Sequence, residues 1–307
     1  MASLRDIRSR ISSVQSTQQV TRAMKMVAAA KLRKSQERIF ATRPYAYQIS
    51  EIIAHLNHRF DTTAHPLFTP YETVERPVIV VVTADRGLAG GFNANIIRTA
   101  EDLIRREYAS FYPNGGGKLI CIGRKAHEHF SRRGYELIGD FRGQMDDLQL
   151  SLATTVAKQL SEAFLSGDAH VVHLVYNEFK NTITQNRIVE PLFPIPLERF
   201  MTPVMERELD GQGRIDPDRG IDYIFEPSGP ALIDALVPRY VTYQLWRVLL
   251  ESNAAEQGAR MMAMDNATTN AGELIKSLRL QYNRARQDAI TTEIIEITSG
   301  ANALESA

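Results

Sequence analysis

Apolar and small residues recur three and four positions apart at both ends of this chain, and the middle follows a different rule. From about Arg239 to Leu304 there is no proline, and only Gly258 and Gly272 interrupt the run before Gly300. Ala255, Ala259 and Met262, then Ala271, Leu274 and Leu278, then Ile290, Ile294, Ile297, Ala301 and Leu304 make one narrow helical stripe, the seam of a coiled coil. The phase between these blocks slips near Ala267 and again near Tyr282, which predicts a seam with stutters. Roughly 65 residues at 1.5 Å each predict a rod of about 100 Å, too long for an ordinary core. Such a rod needs a long partner.

The first forty residues supply one. Between Met1 and Arg43 there is neither glycine nor proline, and Leu4, Ile7, Ile11, Val14, Thr21, Ala28, Leu32 and Ile39 share one stripe. Ser3 followed by Asp6 reads as an N-cap with an acid in the first turn. After Pro44 the pattern resumes at Ile49, Ile52, Ile53 and Leu56, predicting a helix with one bend that ends near Asn57. Two seamed helices at opposite ends of one chain predict an antiparallel coiled coil.

Between them the period shortens. A proline-bearing linker (Pro66, Pro70, Pro77) leads into VIVVVT, Val78 to Thr83, a buried-strand run. The loop DRGLAGGFN follows, then a helical stretch from about Asn95 to Tyr108, a PNGGGK turn and the strand KLICIG. Lys125 to Arg132 reads as helix, YELIGDF (Tyr135 to Phe141) as strand, Leu148 to Leu165 as helix, and AHVVHLVY and Arg187 to Leu192 as strands. Glu208 to Gly220 reads as a polar loop, and Tyr223 to Glu226 as a last strand. Alternation of this kind predicts an α/β layer, partly parallel. The expected fold is α/β: a long antiparallel coiled coil of N- and C-terminal helices with a central Rossmann-like α/β domain. The expected divisions are 1–57 first coiled-coil helix, 58–76 linker, 77–226 α/β domain and 227–307 last coiled-coil helix.

Charge changes this picture at one place. The formal net charge is zero, so no bulk field argues for nucleic acid. Residues 1 to 43, however, hold ten Arg or Lys against Asp6 and Glu37, 10 − 2 = +8. Like charges along a helix repel, so the cluster is expected to face acidic surface on another molecule. The single cysteine, Cys121, sits in an apolar run and reads as a small buried hydrophobe. There is no apolar run of about 18 residues, so no direct transmembrane segment is expected. The arginine-rich N-terminus could pass for a targeting segment, but its stripe continues into the next forty residues and reads as mature structure.

The most enzyme-like stretch is Asp85 to Asn93, after a strand and before a helix, where phosphate-cradling loops sit. It lacks both fingerprints: Gly87 has no glycine two before it, and no Gly-Lys-Ser/Thr follows. His127 and His129 are two apart on a helical stretch, and His170 and His173 point to opposite strand faces, so neither pair has metal spacing. Asp146-Asp147 is a lone acidic pair. No catalytic constellation, cofactor or metal site is expected.

With both rods and the middle loop in view, the chain resembles the gamma-subunit family of the rotary F-type ATP synthase from end to end. Thr21-Arg22-Ala23-Met24-Lys25-Met26-Val27-Ala28-Ala29-Ala30-Lys31-Leu32 matches the family's first motif. Asp85-Arg86-Gly87-Leu88 through Gly91-Phe92-Asn93 matches its loop after the first strand. Tyr282-Asn283-Arg284-Ala285-Arg286-Gln287, then Ile290-Thr291-Thr292-Glu293-Ile294-Ile295-Glu296 to Gly300-Ala301, matches its C-terminal signature. A chloroplast-type cysteine insertion is missing, and the resemblance is to a bacterial member.

The resemblance implies a non-catalytic central shaft inside a ring of alpha and beta subunits that hold the nucleotide sites. It also implies an epsilon subunit and a membrane rotor ring of c subunits at the foot, proton-driven rotation, and a peripheral place on the cytoplasmic side of the bacterial inner membrane. Contacts with the beta subunits carry over to Met24 and Lys25 on the first helix, and to Arg260, Arg286, Gln287, Thr291 and Glu293 on the last. The residues themselves add one expectation. Where the first helix runs out, the stripe through Ile290, Ile294, Ile297, Ala301 and Leu304 loses its intrachain partner and reads as an interface, turning inside an apolar sleeve of the ring. Two other readings compete: a generic coiled-coil scaffold pairing between chains, and a nucleotide-binding α/β enzyme with helical extensions.

Overall fold

A computed structural model describes residues 4–59, 65–112, 115–196, 202–205 and 228–305. The elements in order are α1 (Leu4–Arg59), a 3₁₀ turn (Pro66–Phe68), β1 (Pro77–Val82), α2 (Phe92–Glu107), β2 (Lys118–Ile122), α3 (Arg124–Ser131), α4 (Leu150–Leu165), β3 (Val171–Phe179), β4 (Gln185–Phe193) and α5 (Gly229–Glu305). The chain forms two compact units, Met1–Val27 with Met261–Ala307, and Ala28–Arg260.

In the larger unit the strands lie in the order β2-β1-β3-β4. β1 pairs in parallel with β2 and β3, and β4 closes the edge antiparallel to β3. β1 is PVIVVV, buried at every position, as a central parallel strand with both faces covered must be. Because strand side chains alternate, Ile79 and Val81 join one core with Ile96, Ala100 and Leu103 of α2 and Phe130 of α3. Val78, Val80 and Val82 join the other, with Leu152, Val156 and Leu160 of α4. That second core also takes Leu32, Ile39, Ile49 and Ile53 of α1 and Ile233, Val237, Val241, Leu245, Val248 and Leu249 of α5. Gly123, between β2 and α3, has φ +95° and a Cβ there would stand 2.1 Å from the Thr83 carbonyl oxygen. Only glycine fits that turn.

The smaller unit is a two-helix seam. Gln18 Nε2 donates to the Thr268 carbonyl at 3.2 Å, the Thr21 and Thr268 hydroxyls share a hydrogen bond of 2.8 Å, and Lys25 meets Asp265 at 2.6 Å. Rising numbers on one helix meet falling numbers on the other, so the pair is antiparallel.

Several expectations change. The seam of α5 does not slip near Ala267 or Tyr282: Met264, Thr268, Ala271, Ile275, Leu278, Tyr282 and Ala285 are all inward or half-buried, at alternating steps of four and three. Leu274 lies outside and Ile275 takes its place. Counting only apolar residues skipped Thr268, whose polarity is matched across the seam. The real change of phase comes after Ala285.

α5 starts at Gly229, two residues into the expected 227–307 division, with Pro238 inside it. A proline within a helix costs ~3 kcal/mol or more, and the burial of Ile233, Val237, Val241 and Leu245 on one side offsets it. α1 likewise contains Pro44 and ends at Arg59. Tyr135 to Phe141 is not a strand; it touches β2 only through isolated bridges at Leu137 and Phe141. Gly139, at φ +73° between them, turns the backbone out of the sheet. The 58–76 stretch buries Leu67 and Phe68 through its 3₁₀ turn. The expected loop at Glu208–Gly220 and the strand at Tyr223–Glu226 lie outside the described residues.

Candidate subunit-contact surfaces and the closed crevice

Parallel α/β sheets bind ligands beyond the carboxyl ends of their strands, and here the chain fills that space itself. The Asp85 carboxylate, just past β1, accepts backbone N–H groups from Arg124 at 2.9 Å, Gly143 at 2.7 Å and Met145 at 2.9 Å. A carboxylate thus occupies the kind of N–H cradle that elsewhere holds a phosphate oxygen. Asn93 Oδ1 accepts the Ala84 N–H at 2.9 Å and closes the loop on itself. Above it, Ala255 of α5 packs with Ala84, Ala89 and Phe92, and Glu251 accepts the Phe179 N–H at 3.2 Å.

Arg260, which the resemblance places at a contact with another subunit, is turned inward. Its Nη1 donates to the Gly87 carbonyl at 2.7 Å and its Nε to Glu256 at 3.0 Å, and its side chain is 12% exposed. Burial pushes the Glu256 carboxyl up from its ordinary range, with Arg260 pulling the other way. Beside this loop Leu88 is exposed at a positive φ of 64°.

No group of His, Cys, Asp and Glu able to hold a metal occurs among the described residues. His129 pairs with Glu101 at 2.8 Å and His173 with the Tyr108 hydroxyl at 2.7 Å. The Cys121 thiol is buried, and burial pushes it up to about 12.

In the smaller unit Met24 is half-buried and Lys25 is tied to Asp265, while Val20, Met26 and Val27 are exposed beside them. Carrying the antiparallel pairing on to Leu4 brings its partner to residues near Arg286. From Arg286 through Ala301 every residue of α5 is exposed, including Gln287, Thr291 and Glu293. Ile290, Ile294, Ile295 and Ile297 are 48%, 55%, 57% and 65% exposed. Among the described residues the expected loss of the intrachain partner is therefore present, and Ile294 and Ile297 stand where it is lost.

Sequence reasoning missed two groups. Beside Thr21, already on the expected stripe, Gln18, Lys25 and Ser35 each hydrogen-bond across to the facing helix, Ser35 to Asn253 at 2.6 Å. The strict four-three spacing through Val14, Gln18, Thr21, Lys25 and Ala28 was the available signal. The second group is Arg247 with Glu190 and Tyr176, buried together. A lone charge amid Leu245, Val248, Leu249 and Leu250 could have pointed to it.

The class these features define is an α/β protein whose chain ends wind into an antiparallel coiled coil. The family model described as ATP synthase matches residues 3–304. The ATP synthase gamma chain of Salinibacter ruber is 59% identical over 305 residues, covering 99% of each chain. That of Chlorobaculum tepidum is 49% identical over 305 residues, covering 99% of this chain and 100% of its own. Among solved structures, a chain of the Euglena gracilis mitochondrial ATP synthase in its OSCP/F1/c-ring assembly has a TM-score of 0.65 at 17% identity, covering 99% of this chain and 95% of that one. A chain of the Tetrahymena thermophila central stalk/c-ring has a TM-score of 0.55 at 23% identity, covering 81% and 99%. The chain belongs to the ATP synthase gamma-chain family.

Proposed function

We infer that this chain is the central rotating shaft of an F-type ATP synthase. It couples proton-driven rotation of a membrane rotor ring of c subunits to ATP synthesis and hydrolysis at sites on a surrounding ring of alpha and beta subunits. The observation that carries this reading is the end of α5, an apolar stripe that leaves its seam and meets no part of the described chain. An isoleucine stripe left in water forgoes about 1.5–3 kcal/mol for each side chain that could be covered. A partner that wraps it recovers that energy, and nondirectional contact resists turning little.

The shaft itself does no chemistry in this reading. The crevice that would take a nucleotide is filled by Asp85 and by α5, and the nucleotide sites belong to the alpha and beta subunits. A single copy inside a threefold ring shows a different face to each beta subunit and so makes three equal sites unequal. The surfaces that do this are Met24 on α1, with Val20, Met26 and Val27 beside it, and Arg286, Gln287, Thr291, Glu293, Ile294 and Ile297 on α5. Lys25 and Arg260 act from half-buried positions, holding the contact surface in shape. The exposed Arg5, Arg8, Arg10 and Arg22 of α1 complement acidic loops of the ring. The α/β body meets the epsilon subunit and the rotor ring. No described helix is long and apolar enough to cross a membrane. In this reading the chain is attached peripherally, through its partner subunits, on the cytoplasmic side of the bacterial inner membrane.

Reconstitution tests the reading. Purified alpha and beta subunits show strong steady ATPase activity only when this chain is added, and the isolated chain neither binds nor hydrolyses ATP. Hydrolysis by the isolated chain, or no stimulation on mixing, would overturn it.

A further inference from the structure

From Ile233 to Ala254, α5 shares an apolar core with the sheet, α4 and α1. Such contact is nondirectional, and a helix surface repeats every turn, so apolar packing alone penalises a one-turn shift only weakly. Directional contacts do penalise it: Asn253 donates to the Met145 carbonyl at 2.9 Å, and Arg247 forms a buried ion pair. Arg247 Nη2 donates to both oxygens of the Glu190 carboxylate, at 2.6 and 2.7 Å. Its Nη1 donates to the Tyr176 hydroxyl at 3.0 Å and its Nε to Gln244 Oε1 at 3.1 Å, while Tyr176 donates to Glu190 at 2.7 Å. The two charged side chains are 4% and 7% exposed. One turn further on, Glu251 accepts the Phe179 N–H at the end of β3.

A buried ion pair gains little over apolar residues of the same shape, because both charges lose their water. What it does supply is a penalty for misplacement: any turn or slide of α5 leaves two bare charges in the core. We propose that Arg247 and Glu190, braced by Tyr176, are positioning residues that lock the angular and axial register of α5 on the sheet, so that torque passes between the α/β body and the shaft helix without slip. This rests on the shaft reading above. Neither residue touches a nucleotide or a neighbouring subunit in this role; each acts through the helix it holds.

The test uses the triple variant Tyr176→Phe/Glu190→Leu/Arg247→Met, which removes the network without leaving a charge unpaired. Spin labels at Lys180 and Arg239, both exposed, report the distance between the sheet end and α5 in a Cys121→Ala background. The assembled enzyme in phospholipid vesicles reports protons pumped per ATP hydrolysed. The unmodified network gives one narrow distance; the triple variant gives a broadened or double distribution, and pumping per ATP falls about twofold or more. A narrow distance in the variant, or broadening with wild-type pumping per ATP, would overturn the proposal. Should the triple variant not fold, Glu190→Gln/Arg247→Gln serves in its place with the same readouts. If the enzyme containing the unaltered chain pumps no protons, the shaft reading itself has failed, and that outcome is distinct from either variant result.

Discussion

Two stretches of α5 carry similar apolar side chains and have opposite fates. Between Ile233 and Ala255, Val237, Val241, Leu245, Val248 and Leu249 are fully buried, and even Arg247 and Glu251 are taken into the interior. Between Arg286 and Ala301, four isoleucines stand about half in water. Helical periodicity is a statement about which residues share a face; it does not say what covers that face. In the first stretch the chain's own sheet covers it, and the polar residues caught there find polar partners. In the second nothing in the described chain does, and the polar residues remain at the surface. The contrast separates stability, held in the first stretch, from the contact with other subunits proposed for the second.

Arg247→Met alone should be the most damaging change, destabilising the chain by about 3–5 kcal/mol because Glu190 is left as a buried charge without its partner; denaturant unfolding measures it. Leu249→Ala in the same stretch should cost about 2–5 kcal/mol as a core cavity. Thr268→Ala, which strips the Thr21 hydrogen bond from the seam, should cost about 1 kcal/mol. Ile294→Ala should change the stability of the isolated chain by less than about 0.5 kcal/mol. A loss from Ile294→Ala comparable to that from Leu249→Ala would erase the contrast.

The effect confined to alkaline pH concerns Cys121. Its thiol is raised from 9.0 to about 12 by burial, so the folded chain holds this proton more tightly than the unfolded one. Its contribution to stability is complete below pH 9.0 and is lost as pH rises toward about 12. Cys121→Ala should flatten the alkaline decline in that window, and iodoacetamide should label the thiol only in unfolded protein. Rapid labelling of the native chain would show that β2 is less closed than its burial indicates.

Both long helices, the strands at Val78 and Lys118 and the loss of a partner at the end of α5 were legible because each follows from one local pattern. The seam residues Gln18, Lys25 and Ser35 were not, because a polar seam position is recognisable only once the facing Thr268, Asp265 and Asn253 are aligned with it. What lets Pro238 sit inside α5 was not legible for a related reason: its local penalty is outweighed by the burial of Val237 and Val241, which belongs to the tertiary structure. The bonds that hold Arg260, to the Gly87 carbonyl and Glu256, were not legible for the same reason. The strand reading of Tyr135 to Phe141 failed at Gly139, where apolar content suited a strand and the backbone had to turn.

The most direct measurement replaces Ile294 and Ile297 together with aspartate and follows two quantities. The thermal unfolding of the isolated chain should be unchanged, while the yield of its complex with alpha and beta subunits, and the ATPase activity of that complex, should fall. Unchanged complex yield and activity would contradict the assignment of this stripe to a subunit interface.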